Sequence, residues 1–390
     1  MMQADVTILG GGLVGSILAV GLAYRGLKIV VLDHNPPLDF KDSGDGRTTA
    51  VSYGSQQIFH KLGLWDGIAC HAQPICEIRV FEEGSAWTVD YDHKDVGPHP
   101  MGYILENRVM RHHLQQALKH PQITWLTPSS ALNCQRLFDK AVITTTTGEV
   151  IESKLIVGAE GRHSPVRLQS GIGVHQWDYP QTALVAHIYH QEPHHNTAWE
   201  IFMPSGPLAV LPMLTCPQTQ QHRSGLVWAK SRDYDWHHPT NQDLEKEFLS
   251  YFPFYGSISL CSERWTYPLS ALKVDSFVAH RLALVGDAAH VVHPIAGQGV
   301  NLGWRDADVL TTLLGDAFDV GLDIGTLSVL KSYHQKQKLD HCGVLWMTDG
   351  INRLFRSPYR STYFLRNAGF AVVNHLPPLK RWLMRKAMGI

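Results

Sequence analysis

Four glycines within six residues, set between an apolar strand and an apolar helix, restrict this chain more than any other feature. Val6-Thr7-Ile8-Leu9 leads directly into Gly10-Gly11-Gly12-Leu13-Val14-Gly15. The segment from Ser16 to Tyr24 reads as a helix stopped at Gly26, and Lys28 to Leu32 as a second buried strand ending in Asp33. A strand, turn, helix, strand unit of this kind binds a dinucleotide. Gly10 permits the tight turn, Gly12 lets a pyrophosphate approach the backbone, and Gly15 lets the helix lie close. The helix N-terminus, at Leu13 and Val14, presents unpaired N–H groups and a partial positive charge to phosphate. Asp33, eighteen residues beyond Gly15, is placed to accept hydrogen bonds from ribose hydroxyls. The ligand therefore contains ADP. This unit alone does not choose between FAD and NAD(P).

A second segment narrows the choice. Arg281 to Val285 reads as a buried strand that runs into Gly286-Asp287-Ala288-Ala289-His290 and then Pro294-Ile295-Ala296-Gly297-Gln298-Gly299-Val300-Asn301. A helix follows, with Leu302, Leu310, Leu313 and Leu314 at mainly helical spacings. Asp287, at a strand end, suits the hydroxyls of a sugar or ribityl chain. Pro294, Gly297 and Gly299 make a rigid loop of little bulk, suited to contact with a flat ring. The helix beginning near Asn301 aims its positive end at the same place, where a reduced flavin carries negative charge.

Here the chain resembles the para-hydroxybenzoate hydroxylase-like FAD monooxygenases. Their G-D-A-A-H-x-x-x-P-x-x-G-Q-G-x-N-x-G segment, which binds the ribityl chain and the isoalloxazine, is matched at every fixed position from Gly286 to Gly303. A third family stretch, x-D-G-x-x-S-x-V-R, is matched by Ala159 to Arg167, with Glu160 in place of the usual Asp. The resemblance implies cofactor contacts at Gly10, Gly12, Leu13, Val14, Gly15, Asp33, Glu160, Asp287, Gln298, Gly299, Val300 and Asn301. It adds Arg47, in Asp45-Gly46-Arg47, and Asn107, with Arg111 one turn on. Pro294, Gly297 and Gly299 form the face where oxygen would be transferred. Within the family the chain is most similar to the ubiquinone-biosynthesis hydroxylases. The stretches Asp45–Ser55, Gly102–Arg108, Gly206–Pro212, Thr348–Phe355 and Leu376–Arg381 carry that likeness.

The implied fold is α/β: a Rossmann-like FAD-binding domain interleaved with an antiparallel β-sheet substrate domain, followed by C-terminal helices. The expected division is 1–75, 101–175 and 271–320 for FAD, 76–100 and 176–270 for substrate, and 321–390 for the helices. Strand-like runs at Ala183–His190, Ala209–Leu214 and Gly225–Lys230 would form the roof over the substrate. The implied reaction is hydroxylation of a polyprenylated phenol or quinol. NAD(P)H reduces FAD, and O2 adds at C4a to give the hydroperoxide that donates its distal oxygen. Alternatives are a flavin hydroxylase or reductase of another hydrophobic substrate, and a non-catalytic flavoprotein component of a quinone-synthesis complex. The absence of a W-x-W-x-I-P stretch argues against a flavin halogenase.

Composition supplies exclusions. Thirty-four Lys+Arg against thirty-five Asp+Glu argue against a nucleic-acid-coating polycation. Six cysteines without a C-x-x-C pair read as buried thiols of a reducing cytosol. Twenty-three histidines invite a metal, but the paired ones lack acidic or thiol neighbours at ligand spacing, so none is expected. The eleven tryptophans read as core and roof packing, Glu106 as structural, and the Asp306/Asp308 pair as the solvated side of its helix. No export signal or membrane span is evident, so a cytoplasmic protein is expected. From Asn352 to Ile390 there is no acidic residue among many basic ones. A stripe of Leu379, Trp382, Leu383, Ala387 and Ile390 could rest on the inner face of the cytoplasmic membrane, dock a partner, or dock on the protein itself.

Overall fold

The computed structural model describes residues 1–37, 46–357 and 359–390. Its first strand, Met2–Leu9, pairs in parallel with Ile29–Leu32 on one side and Val150–Gly158 on the other. Ile123–Leu126 and Leu282–Leu284 extend this parallel core, and antiparallel strands complete a sheet of eight. Strands buried on both faces need no polar side, which is why Val6, Ile8, Leu9 and Ile29 to Leu32 are almost uninterrupted in apolarity and all buried. The helix Leu13–Tyr24 is buried from Gly15 to Ala23. The helix Gln298–Asp319 packs across it, with the Trp304 indole donating to the Leu13 carbonyl at 3.1 Å.

A second sheet, of nine strands, stands beside the first. It runs from His290–Val291 through Trp265–Val274, Val174–His190, His222–Ser231, Gly206–Met213 and Thr197–Met203 to Glu77–Glu82 and Thr88–Asp92, with Ile258–Leu260 paired to Val174–His190 as the ninth. The three strand-like runs expected of the roof all fall within it. The sheet is not wholly antiparallel, however, because Thr197–Met203 and Glu77–Glu82 run in the same direction. The reason is topological: the hairpin 77–92 enters from a distant part of the chain and is added at the sheet edge. A small sheet of Thr48–Ser52, Gly102–Glu106 and Gln73–Ile75 lies at the junction.

The C-terminal region consists of helices Leu327–Arg356, Arg360–His375 and Pro377–Met388. They dock on the outer hairpin. Arg366 pairs with Glu82 at 2.7 Å with both side chains buried, Lys380 reaches Asp95 at 3.1 Å, and Phe355 stacks on Phe202 at 4.1 Å. Met384 and Met388 face inward while Trp382 and Ile390 face outward, so the buried stripe of the last helix is turned from the one read in the sequence. Two further expectations are corrected. Cys70 and Cys342 are exposed thiols, and Trp346 and Trp382 stand mostly in solvent rather than in a core. No helix among the described residues is long and apolar enough to cross a membrane.

Candidate functional site

The glycine turn is built from backbone at distances that exclude side chains. Gly10 has a φ of +105°, and a Cβ there would lie 2.3 Å from the Ala159 carbonyl oxygen. A Cβ on Gly15 would lie 1.9 Å from the Gly10 oxygen, so the helix abuts the turn itself as well as the sheet. Gly12 differs: nothing lies within 4 Å of where its Cβ would be. That space opens at the N-terminus of Leu13–Tyr24, where Gly12 offers no side-chain cap and the first N–H groups await an acceptor.

Beside this space Gly11, Gly12, Leu13, Ser16, Asp33, Arg111 and Trp125 line one recess. Asp33 accepts the Asn35 N–H on Oδ1 at 2.9 Å, while Oδ2 faces Gly11. The buried Trp125 Nε1 has no hydrogen-bond partner among the described residues. An orphaned donor, an acid and an uncapped helix start fit the adenosine and pyrophosphate of FAD.

The second glycine segment lies across a cleft. Asp287 is ringed by protein yet open to the cavity. Burial pushes its carboxyl up, and His290, Arg162 and Arg47 oppose that shift. Gly297, at φ +59°, caps the helix Gln298–Asp319 with no side-chain bond, leaving Gly299 and Val300 at a bare helix start on the cavity wall. The helix thus begins one turn earlier than Asn301. Asn301 is a clamp: its amide donates to the Ala50 and Gly297 carbonyls at 2.7 and 2.8 Å, and its oxygen accepts the Ser52 N–H at 2.9 Å. Gln298 donates to the Ala387 carbonyl at 3.2 Å, so the last helix closes this side of the cavity.

The third stretch braces the other two. Glu160 accepts Ser164 Oγ at 2.7 Å and the Val166 N–H at 3.2 Å, so the longer acid still caps the short helix Pro165–Gln169. Arg167 is buried and donates to the Ala288 and Arg162 carbonyls, tying this turn to the flavin segment. Arg47 lies 5.7 Å over the Tyr267 ring. Asn107 holds the same strand, donating its N–H to the Arg47 carbonyl and accepting Thr49 Oγ1 at 2.6 Å. Arg111, by contrast, reaches the adenosine recess. Asp45 lies outside the described residues.

One reading of the sequence fails here in an informative way. Asp306 is not solvated but wholly buried, and it is a hub. Its Oδ2 accepts the Gly286 N–H at 2.9 Å and His290 Nε2 at 2.7 Å. Its Oδ1 accepts Gln337 at 2.7 Å and His341 Nε2 at 2.6 Å. Burial pushes this carboxyl up, but the two imidazoles outweigh it and hold Asp306 well below the usual carboxylate range. Burial also pushes His341 down, against the pull of Asp306. The three groups could be mistaken for a metal set. Their nitrogen–oxygen separations are those of direct charge-assisted hydrogen bonds, which leave no room for an ion between them. Asp308, four-residue phase aside, does face outward and pairs with Lys61 at 2.9 Å.

Between the flavin segment and the nine-stranded sheet lies a cavity of about 440 Å³. Its walls are largely apolar: Ile75, Ile78, Met101, Leu211, Val227 and Leu269 from the sheets, Val292 and Pro294 from the loop, and Met388 from the last helix. The sequence reading passed over one wall residue, Glu200. It stands among apolar neighbours in Thr197–Met203, and burial pushes its carboxyl up to about 7. A carboxylate in the middle of an otherwise apolar strand was the available signal. Glu106 is structural as expected, bridging Arg108 and Arg223 at 2.7 and 2.9 Å.

The FAD binding domain family matches residues 3–339. The chain is 38% identical to the ubiquinone hydroxylase UbiL of Rhodospirillum rubrum, over 99% of this chain and 90% of that protein. It is 33% identical to the 3-demethoxyubiquinol 3-hydroxylase of Escherichia coli, over 99% and 98%. Its fold is similar to that of the p-nitrophenol 4-monooxygenase PnpA from Pseudomonas putida, with a TM-score of 0.83, 18% identity, and 100% and 99% of the two chains covered. With the second glycine segment packed on Val14 of the first and this extent of similarity, the chain belongs to the FAD binding domain family of flavin monooxygenases.

Proposed function

We propose that this enzyme hydroxylates the aromatic ring of a polyprenylated phenol in ubiquinone biosynthesis, using O2 and NAD(P)H. The observation that carries the reading is the apolar cavity bounded on one side by Pro294, Gly297 and Gly299 and on the other by the nine-stranded sheet. Bound FAD would supply the redox chemistry, passing electrons from NAD(P)H to O2. The protein binds, orients and dries the site. The glycine turn and Asp33 would hold the ADP half, and Asp287 the ribityl chain. The bare start of Gln298–Asp319 would place positive potential at the flavin ring. Arg47 and Arg111 would add charge along the cofactor, with Asn107, Asn301 and Glu160 holding the segments that touch it. In this reading residues 1–75, 101–175 and 271–320 serve the cofactor, 76–100 and 176–270 the substrate. The apolar walls would exclude water from the reacting ring. The test is direct: purified protein should carry the yellow oxidised-flavin absorbance, and a short-chain prenylated methoxyphenol should accelerate NAD(P)H oxidation and gain one oxygen atom. Acceleration without an oxygenated product would overturn the reading.

The outer face of the last two helices supports a further part of this reading, contact with an anionic membrane surface. Phe364, Leu365, Leu376 and Trp382 are exposed there beside Arg381, Arg385 and Lys386, with no acid between Asn352 and Ile390. Ala387 and Met388 of the same region line the cavity, so a lipid-borne substrate would enter beside it. Vesicles containing phosphatidylglycerol should sediment the protein and neutral phosphatidylcholine vesicles should not. Trp382→Asp should weaken that binding several-fold.

A further inference from the structure

Glu200 occupies a place that stability does not explain. It lies in the strand Thr197–Met203, opposite Ala209 on one neighbour and Val80 on the other. Side chains alternate across a strand, so Glu200 shares its face with Ala198 and Phe202, while Trp199 packs on the opposite face with Phe81 and Phe252. That shared face fronts the cavity, and the surface Glu200 keeps opens onto it. Among the described residues no hydrogen bond or ion pair to Glu200 is formed. A carboxyl raised by burial and held by no partner among the described residues works against folding, and an apolar side chain at the same place would not.

The groups around it are few. Tyr91, from the strand Thr88–Asp92, is close enough for Glu200 to raise its phenol, after burial, to about 12. Tyr267 stands on the same cavity wall, and Arg162 and Asp287 lie at its flavin end. Arg79, from the neighbouring strand, turns away and lies 5.1 Å over Trp199. Among the described residues no fixed cation pairs with this carboxylate, and a donor carried by the ligand would supply that partner. On an otherwise apolar ligand that donor is a ring hydroxyl.

We propose that Glu200 receives the ring hydroxyl of the substrate, accepting its hydrogen bond and taking its proton as the ring is oxygenated. The inference rests on the aromatic-hydroxylase reading above and assigns the residue that orients and selects the ring. In the transfer the phenolic O–H bond breaks and a Glu200 Oε–H bond forms. The electron pair left on the phenolate oxygen feeds the ring carbon that becomes bonded to oxygen from O2. O2 is the oxidant and NAD(P)H the reductant, and the second oxygen atom leaves as water. The proton of the attacked carbon ends on the added oxygen, and Glu200 returns its own proton to the original one. A base poised near neutrality suits this task, since burial brings the Glu200 carboxyl to about 7.

The experiment compares the FAD-loaded wild type with Glu200→Gln, using a short-chain prenylated methoxyphenol and its O-methyl ether. Both proteins should show the same flavin absorbance. For wild type, kcat/KM with the phenol should fall below a pH of about 7. In Glu200→Gln it should be about 100-fold lower and lack that acidic limb, while the affinity for the ether stays within twofold of wild type. The raised carboxyl also works against folding as the pH rises from the unfolded-state value of 4.5 to about 7, so Glu200→Gln should melt higher than wild type at pH 8 and at the same temperature at pH 4. A variant that keeps wild-type kcat/KM and pH profile overturns the inference, as does one that melts lower at pH 8, which would make Glu200 structural. If the wild type itself makes no hydroxylated product, the aromatic-hydroxylase reading fails and this inference fails with it.

Discussion

The two ends of the cleft are made of different material. At the ADP end the ligand would meet backbone, at distances where a single added carbon at Gly10 or Gly15 would fall 2.3 or 1.9 Å from a carbonyl oxygen. At the substrate end it would meet side chains projected from strands, and one of them, Glu200, has no partner among the described residues. A site made of backbone tolerates almost no substitution and binds whatever shares its diphosphate. A site made of side chains can be retuned one residue at a time, and so it is where specificity resides.

The sharpest way to break this contrast lies at the glycines themselves. Gly15→Val should abolish folding, read as loss of soluble protein, because its Cβ would lie 1.9 Å from the Gly10 oxygen, a backbone atom of the turn. Gly12→Asp should behave differently. Its Cβ enters open space, so the apoprotein should melt within a few degrees of wild type, yet a carboxylate at the helix N-terminus would fill the diphosphate site. FAD affinity should fall at least about 100-fold, on the order of 3 kcal/mol, measured by titration of flavin fluorescence. Retained FAD in Gly12→Asp would place the diphosphate elsewhere.

Asp306 tests whether the flavin segment is held as rigidly as the glycine turn. Replacing it with Ala leaves the Gly286 N–H, His290, Gln337 and His341 without their common acceptor. The expected loss is about 3–5 kcal/mol of stability, read by denaturant unfolding, with FAD released at lower denaturant than in wild type. Its depressed carboxyl gives the sign with pH: the contribution is present above the unfolded-state value near 4 and is lost only as the pH falls below that. An Asp306→Ala protein as stable as wild type would show that the hub carries no load.

The contrast also explains what was legible in the sequence. Backbone sites announce themselves, because only glycine fits the turn and the strand and helix around it have fixed lengths. Gly10, Gly15, Asp33, Asp287 and the loop from Pro294 to Asn301 were all readable and all lie on the cleft or brace it. The sheet was legible as strands, but its one parallel pair was not, since pairing between Thr197–Met203 and Glu77–Glu82 depends on contacts distant in sequence. Alternation assigns Glu200 to a face without saying what that face meets. Asp306 carried a signal that went unused: Leu302, Asp306, Leu310 and Leu314 follow at four-residue steps, which places the acid on the buried stripe.

Buried histidines give a finer comparison, because they lie on both sides of the cleft. Burial lowers His187 and His194 of the sheet side and His293 of the flavin loop from the usual 6.5 to about 4. The unfolded chain takes up these protons near pH 6.5, whereas the folded chain resists them until about 4. Stability is therefore complete above pH 6.5 and declines as the pH falls toward 4, with each group worth on the order of 1–3 kcal/mol at the lower limit. His194 donates its Nε2–H to the Met213 carbonyl at 2.9 Å and accepts the Asn196 N–H at 3.1 Å, whereas His293 sits beside Pro294 against Tyr179. His194→Gln should flatten the acid slope of stability by about one proton and leave FAD release unchanged. His293→Gln should flatten it equally and also shift the pH at which FAD is released. Equal FAD release in the two variants would mean that the loop and the sheet respond to acid as one unit, and the division between the two sides of the cleft would not extend to their stability.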